Sequence, residues 1–305
     1  MRARRRLHAG DTLSLIVNPA TRRNAQAVVR AIEAAASPGV RVDVRVTDTA
    51  GDAVRLARDA AREASMVVAV GGDGTVADVA CGLFGTEVSL GIIPAGSTNI
   101  TAAELGIPRN WRNAIRIIFD DFQDVPVDLG RCGDRAFLHM AGAGMDSRLF
   151  LRSSARLKRR AGWLAYLPAA SRGLFDRPAN FTLEIDGQRM EVVSPMVIVA
   201  NSGSIITPSI RLHPLPRTDD GWLDVLIFTA TGPMGVLRTL ARLATQSLDR
   251  SSHLRHVRAK NVEMVSDPAL PVQLDGDVVA VTPVSFSISP GGVRVVVPFV
   301  AERHS

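Results

Sequence analysis

The chain has 305 residues, enough for two domains, and 46% of them are hydrophobic, so it can bury a sizeable core. Its two cysteines, Cys81 and Cys132, make no disulfide framework and are typical of a reducing compartment. The formal net charge of +6 favours an anionic partner. Aromatic residues are only 5% of the chain, however, which is few for a protein that stacks aromatic side chains on nucleic-acid bases. We therefore expect no nucleic acid among its partners.

No uninterrupted apolar run reaches the roughly 18 residues of a membrane span. The basic start at residues 1–11 is not followed by the apolar region of a secretory signal. We therefore expect a cytoplasmic protein whose membrane contact is peripheral. For the basic start itself, a solvated segment and a lipid contact both remain open.

Apolar and helical stretches alternate over about the first 120 residues, which is typical of a parallel α/β sheet. Strands are predicted at 13–17, 40–46, 66–70 and 88–93, and helices at 25–36, 52–64, 76–83 and 111–122. Ligands of such sheets bind at the carboxyl ends of the strands. We therefore expect the loops that carry Asn18, Thr47, Asp73 and Ser97 to converge.

A glycine loop, Gly71-Gly72-Asp73-Gly74-Thr75, follows the third predicted strand. Its glycines allow left-handed backbone and close approach to a ligand, and Thr75 is the candidate cap of the following helix. Amide N–H groups at such a helix start face an anion. A carboxylate here repels phosphate unless a cation lies between them or the carboxylate works on a proton, so Asp73 suggests a nucleotide with Mg²⁺. An ordinary strand-to-helix turn is the alternative.

Short strands separated by turns dominate after residue 125, which predicts an antiparallel sandwich or barrel. The predicted strands are 125–129, 136–141, 180–186, 190–200, 223–228, 261–266, 272–274, 284–289 and 293–297. Two segments with helical character, 148–175 and 234–248, interrupt them. Asp186-Gly187, Asp220-Gly221 and Pro290-Gly291-Gly292 are among the predicted turns.

An ordered series of motifs resembles the diacylglycerol kinase catalytic-domain family, which includes bacterial soluble lipid kinases and the sphingosine kinases. The series comprises Asn18-Pro19, Thr47 with Gly51-Asp52-Ala53, the glycine loop, and the segments 90–108, 127–147, 157–167, 218–225 and 273–277. The resemblance implies an α/β N-terminal nucleotide-binding domain followed by an antiparallel β-sandwich, with the active site between them. It assigns residues 1–126, rejoined by 290–305, to the first domain and 127–289 to a lipid-substrate domain.

The resemblance also implies a reaction: transfer of the γ-phosphate of ATP, with Mg²⁺, to a hydroxyl of diacylglycerol or a related lipid alcohol at a membrane surface. The residues expected at the nucleotide or its phosphates are Asn18, Pro19, Thr47, Gly71, Gly72, Asp73, Gly74, Thr75, Ser97 and Asn99. The general base is expected in Asp275-Gly276-Asp277, without a choice between Asp275 and Asp277. In the sphingosine kinases the glycine-loop aspartate is the proposed base, so Asp73 is a third candidate. A plain Asp-Gly hairpin turn is the alternative.

Asp220 resembles a family position that binds a structural Mg²⁺, which backbone carbonyls near Arg217 and Trp222 would complete. A plain turn is again the alternative.

The chain departs from the family pattern at several positions. Arg22 lies in the opening turn, where Ser-Gly usually follows Asn-Pro. Ser97 replaces Thr, Thr98 replaces a common Gly, Ile100 replaces a common Asp, and Asp277 replaces a more frequent Glu.

Residues 148–175 mix Arg and Lys with Leu, Phe, Trp and Tyr, as an interfacial membrane segment does, although a core-packed helix with a basic face has the same composition.

Two other functions stay open. One is a kinase of a soluble substrate, because NAD kinases and phosphofructokinases share the Gly-Gly-Asp-Gly loop; the other is a non-catalytic nucleotide- or lipid-binding protein. A homodimer is also left open.

Overall fold

The computed structural model is described over residues 5–21, 25–49, 51–144, 178–205, 207–211, 213–230 and 232–299. Arg22 and the segment 148–175 therefore lie outside the described residues. The chain divides into two compact units, Met1–Val127 with Gly291–Ser305, and Asp128–Pro290. The family resemblance placed the first division one residue earlier, between 126 and 127.

The first unit is a parallel sheet with helices between its strands, as predicted. Its elements are β1 Thr12–Val17, α1 Ala25–Ala35, β2 Arg41–Val46, α2 Asp52–Ala60, β3 Met66–Gly71, α3 Asp73–Leu83, β4 Ser89–Pro94, α4 Ile100–Glu104, α5 Trp111–Phe119 and the start of β5 Phe122–Cys132. β1, β3 and β4 are buried along their whole length. Such continuous apolar runs are expected where a parallel sheet is covered on both faces.

The strand order of this sheet is β2-β1-β3-β4, and all neighbours are parallel. β1 has β2 on one side and β3 on the other, so the winding direction of the chain reverses at β1. The carboxyl ends of β1 and β3 therefore flank a topological switch point, the usual place for a ligand in an open α/β sheet.

The second unit is built from antiparallel strands. They are the end of β5, β6 Arg135–Phe137, β7 Met140–Gly144, β8 Ala179–Ile185, β9 Gln188–Ser194, β10 Met196–Ala200, β11 Ser204–Ile205, β12 Thr207–Arg211, β13 Leu223–Phe228, β14 Leu254–Ala259, β15 Asn261–Asp267, β16 Pro271–Leu274, β17 Asp277–Val281 and the start of β18 Val284–Pro298. A helix, α6 Gly232–Ala244, and a short 3₁₀ turn at Leu248–Arg250 lie between β13 and β14.

Six of these strands form one sheet in the order β14-β13-β10-β7-β16-β17, while β9, β8, β15 and the start of β18 pair in a second. A single core combines side chains from both sheets, including Phe181 of β8, Val199 of β10 and Val225 of β13. The predicted antiparallel sandwich is therefore confirmed.

Three predicted strand boundaries are wrong, each for a local reason. The predicted strand 190–200 is two strands in different sheets, because Pro195 has no N–H for a ladder. The predicted strand 136–141 breaks at Leu138 and His139, whose N–H groups bond the Asp275 side chain instead. Conversely, the predicted turn at Pro290-Gly291-Gly292 is part of one continuous strand, β18.

β18 supplies strands to both units. Its first part pairs with β15 of the second unit in antiparallel orientation, and Arg294 and Val295 pair with β4 of the first unit in parallel orientation.

The predicted helix 111–122 ends early, at Phe119, and Phe122 begins β5. Within the described ranges, no helix combines the length and the apolar character that a bilayer crossing requires.

Gly130 and Phe137 provide a test of the sandwich packing. They are paired across β5 and β6, and a Cβ on Gly130 would lie 2.1 Å from the Phe137 ring, which meets Phe286 edge-on with a centroid distance of 6.2 Å. We predict that Gly130→Ala lowers the free energy of unfolding by about 1–3 kcal/mol through overpacking, as measured by urea denaturation. In a double-mutant cycle, Phe137→Leu should absorb much of that loss. Simple additivity of the two changes would contradict the contact.

Candidate active site

The predicted phosphate-binding residues of the first unit lie together at the carboxyl ends of its strands. We call Asn18, Thr47, Gly71–Thr75 and 96–99 the strand-end site. The Asn18 N–H donates to the Val70 carbonyl at 3.1 Å, and the Asn18 amide donates to the Thr75 hydroxyl at 3.1 Å. The Thr47 N–H bonds the Val17 carbonyl at 2.9 Å, and the Ala95 N–H bonds the Gly71 carbonyl at 2.8 Å. Pro19, next to Asn18, is exposed.

Helix α3 begins at Asp73, three residues before the predicted start. Its N-cap is Gly72, and Thr75 lies in the first turn, so the expectation that Thr75 caps the helix is wrong. Thr75 instead accepts the bond from Asn18 and ties the glycine loop to the end of β1. The first N–H groups of a helix have no acceptor within it, and the helix dipole is positive there. The early start places the whole glycine loop at that end.

The glycines at 71 and 96 are required for space rather than for left-handed backbone. Gly71, Gly72, Gly74 and Gly96 have no positive φ. A Cβ on Gly71 would lie 2.4 Å from the Thr75 Cβ, and a Cβ on Gly96 would lie 2.5 Å from the Gly72 Cα. The left-handed conformations expected in the glycine loop are absent at Gly71, Gly72 and Gly74. The two loops approach each other closely, while the expected close approach to a ligand stays a prediction.

The Asp73 carboxylate joins the start of α3 to the 98–101 segment. One oxygen accepts the Thr98 hydroxyl at 2.9 Å, and the other accepts the Thr101 N–H at 3.0 Å. The Thr98 carbonyl in turn accepts a bond from the Arg109 guanidinium at 2.7 Å. Sequence reasoning noted Thr98 only as a departure from the family pattern and missed both threonines as partners of Asp73. The sequence signal for both threonines was their position shortly after Gly96, at the end of the fourth strand.

Ser97 and Asn99 differ in their surroundings. Ser97 is exposed at the strand-end site, whereas Asn99 is buried and has left-handed backbone with φ 51°. The Asn99 side chain accepts from the Gly96 N–H at 2.9 Å and donates to the Gly96 carbonyl at 3.0 Å. Asn99 thus fixes the shape of the loop, and Ser97 presents its hydroxyl outward.

In the second unit, Asp275 and Asp277 lie on a tight hairpin between β16 and β17, which we call the acidic hairpin. Asp275 and Gly276 both have positive φ, 48° and 94°, the pattern of a type I′ turn. The Asp275 carboxylate accepts three backbone N–H groups, from Leu138 at 2.8 Å, His139 at 2.9 Å and Met140 at 3.0 Å. Its own N–H donates to the Met140 carbonyl at 2.9 Å.

The two carboxylates of the acidic hairpin are therefore in different environments. Burial raises the pKa of Asp275, against the opposing effects of His139 and the three backbone N–H groups. Asp277, the first residue of β17, is exposed. The structure separates a carboxylate that holds the 138–140 segment from one that is accessible.

Asn201 supports this arrangement and was missed by sequence reasoning. It is fully buried, and its amide donates to the carbonyls of Asp128 and Leu138 at 2.9 Å each. Its own N–H donates to the His139 carbonyl at 2.7 Å. An asparagine directly after an apolar strand was the available signal. Asn201 thereby anchors the segment whose N–H groups bind Asp275.

The turn predicted to hold a structural Mg²⁺ contains other contacts. Asp220 forms a salt bridge with Arg258, and its second oxygen accepts the Trp222 N–H at 3.1 Å. The Arg217 guanidinium bonds the neighbouring Asp219 at 3.0 Å. Among the described residues, no cluster of three or more His, Cys, Asp or Glu side chains could hold a metal ion. These contacts do not fit a divalent-ion site at Asp220.

A parallel α/β unit with a glycine loop at its switch point, combined with an antiparallel sandwich, defines a two-domain class of nucleotide-binding fold. Two family models match this chain. The diacylglycerol kinase catalytic domain matches residues 12–132, and the YegS C-terminal NAD kinase beta sandwich-like domain matches residues 139–297.

Curated relatives agree with these matches. Proteins named "Probable lipid kinase YegS-like" from Pseudomonas syringae pv. tomato and Chromohalobacter salexigens are each 32% identical; the matches cover 85% of both chains in the first and 88% of both in the second. An uncharacterized protein of Synechocystis is 26% identical, and the match covers 84% of this chain but only 61% of that longer relative. The chain belongs to the YegS-like lipid kinases, which carry the diacylglycerol kinase catalytic domain.

Solved structures support the fold. A diacylglycerol kinase structure from Bacillus anthracis str. Sterne superposes with a TM-score of 0.74 at 24% identity and covers 93% of this chain and 96% of its own. A second structure from the same organism has a TM-score of 0.78 at the same identity, with 95% and 97% coverage.

Thr98 offers a test of the Asp73 contact. We predict that Thr98→Val, which removes the hydroxyl at nearly constant volume, weakens the hold of the Asp73 carboxylate on the 98–101 segment. Amide hydrogen exchange at Thr101 should then become faster. Since a hydrogen bond to a charged group contributes about 1.5–3 kcal/mol, exchange should accelerate about tenfold or more if local opening dominates. Thr98→Ser should retain the slow rate. Equal exchange in the Val and Ser variants would contradict the contact.

Asp275 and Asp277 form a matched pair for a stability test. Asp275→Asn places an NH₂ group or a single oxygen opposite three N–H donors, so we predict a fall in melting temperature of about 4–8 °C. Asp277→Asn, two residues away on the same hairpin, should change it by about 1 °C or less, because the side chain is exposed. Differential scanning calorimetry of both variants measures this. Equal effects would show that the hairpin does not depend on the Asp275 bonds.

Proposed function

We propose that the protein is an ATP- and Mg²⁺-dependent lipid kinase that phosphorylates a hydroxyl of diacylglycerol or a related lipid alcohol. Membership of the lipid kinase family supports the reaction class. The observation that carries the proposal is the hydrogen-bonded packing of the glycine loop against Asn18 and the 96–101 segment at the switch point of the sheet. The lipid itself, and ATP over another triphosphate, are part of the proposal.

The strand-end site would bind the phosphates of the nucleotide. Backbone N–H groups at the start of α3 provide donors and a positive dipole end, and Ser97 supplies an exposed hydroxyl at the same edge. The Thr47 hydroxyl is buried and donates to the Val17 carbonyl at 3.4 Å, so Thr47 would act by shaping the loop. Asp73 would hold Mg²⁺ there, since its carboxylate is an oxygen ligand of the kind this ion prefers. The bound ion would neutralise charge on the phosphate oxygens. Thr98 and Thr101 would keep the Asp73 carboxylate in place.

Asp277 is the general base that the geometry favours. The substrate hydroxyl attacks the γ-phosphorus, the bond from that phosphorus to the bridging oxygen of ADP breaks, and the hydroxyl proton passes to a carboxylate. Asp277 is exposed and accessible to a substrate, whereas the Asp275 carboxylate is engaged by three backbone N–H groups. Asp275 would position Asp277 through the tight turn between them. Asp73, the third candidate, is engaged with Thr98 and Thr101.

Contact with a membrane surface follows from the proposed substrate, because a lipid alcohol is presented there. The basic and aromatic composition of residues 148–175 supports this segment as the peripheral contact, although it lies outside the described residues.

The decisive experiment is a γ-³²P transfer assay with Mg²⁺ on mixed lipid micelles. Diacylglycerol, monoacylglycerol, sphingosine and glycerol are offered in parallel. We predict label in a lipid product, lost by about 100-fold or more in Asp277→Asn, since general base catalysis contributes roughly 10²–10⁴. Asp73→Asn should lose activity in a way that added Mg²⁺ partly restores.

A matched control separates catalysis from a general charge effect. Asp134 is an exposed carboxylate in the turn between β5 and β6, and Asp134→Asn should leave transfer unchanged. Label only in glycerol would assign a soluble substrate instead. Nucleotide binding without transfer to any acceptor would assign a non-catalytic binding protein.

A further inference from the structure

The turn at residues 217–222 resembles a metal-binding position in sequence but contains a protein cation in the structure. The Arg258 guanidinium forms a salt bridge with one oxygen of Asp220, and the Trp222 N–H bonds the other at 3.1 Å. The Asp220 side chain is 21% exposed, so this ion pair is partly shielded from water. Both carboxylate oxygens thus have protein donors.

Arg258 is held at this turn by regular structure. It lies on β14 directly opposite Asp224 of β13, which is fully buried. The Arg258 Nε is 3.9 Å from the Asp224 carboxylate, and the guanidinium carbon lies 5.3 Å from the centre of the Trp222 ring. The closer partner of Asp224 is His256, whose Nε2 lies 2.5 Å from the carboxylate, so the main carboxylate partner of Arg258 is Asp220. The planar, delocalised guanidinium is suited to this ion pair beside an aromatic ring.

The turn also has fixed contacts on its backbone. The Asp128 carboxylate accepts the Gly221 N–H at 2.6 Å, and the Asp128 N–H donates to the Thr218 carbonyl at 2.7 Å. Lys260 adds a second positive charge, with its Nζ 5.1 Å from the centre of the Trp222 ring. A divalent ion at Asp220 would compete with Arg258 for its ligand.

We propose that Arg258 takes the place of a divalent cation at the Asp220 turn, so that this turn is fixed without metal in this chain. A guanidinium differs from a bound ion in two ways: it cannot dissociate, and chelators do not remove it. The stability of the turn is then independent of the Mg²⁺ that the proposed reaction uses.

The first test counts bound metal directly. Mn²⁺ binding to the full-length protein without nucleotide is followed by electron paramagnetic resonance, in the wild type and in Asp220→Asn. The expected result is the same Mn²⁺ stoichiometry in both. Release of one Mn²⁺ by Asp220→Asn would overturn the proposal.

The second test removes the guanidinium. Arg258→Met is expected to lower the melting temperature in EDTA by about 2–4 °C, because it leaves the partly shielded Asp220 carboxylate without its cation. Arg258→Lys, which keeps a charge, should recover part of the loss. Arg255→Met on the same strand, where the side chain is exposed, is the matched control and should change little. An unchanged melting temperature in Arg258→Met would also overturn the proposal.

Discussion

The approach of two backbones at Gly72 and Gly96 is the constraint on which the strand-end site depends. A Cβ at Gly96 would lie 2.5 Å from the Gly72 Cα, so the loops after β3 and β4 can meet in this way only with glycine at position 96. Once they meet, Asp73 at the start of α3 reaches the Thr98 hydroxyl and the Thr101 N–H. These two bonds give the Asp73 carboxylate a structural role at the strand-end site. The positive end of the helix dipole also favours a carboxylate in this first turn.

In the acidic hairpin of the second unit, an aspartate carboxylate again fixes a neighbouring segment through hydrogen bonds to its backbone. A type I′ turn requires positive φ at two residues, which Asp and Gly supply. Because Asp275 bonds the N–H groups of Leu138 and His139, these two residues leave the sheet ladder, and the predicted strand 136–141 breaks there. Asn201 holds the same segment from the other side. The Asp275 carboxylate therefore explains the error in strand prediction.

Much of the fold was predictable because apolar periodicity reports burial. The runs before Asn18 and before Gly71 are strands as predicted, and the alternation with helices identifies a parallel sheet. Boundaries were less predictable where one residue type has two outcomes. Pro195 separates two strands, whereas Pro290 lies inside the continuous β18. β14, rich in arginine, and β17, which follows the acidic hairpin, carry no clear alternation and were not predicted.

Site residues were predictable as motifs, and their partners were not. The motif around Asp220 resembles a position that binds a cation, with a plain turn as the alternative. It does not identify which cation, because Arg258 is 38 residues away in sequence and is brought to the turn only by the pairing of β13 with β14. Thr98 is a similar case, because its hydroxyl reaches the Asp73 carboxylate only when the loops after β3 and β4 are in contact. A departure from a family pattern is thus informative once the structure shows what the changed side chain touches.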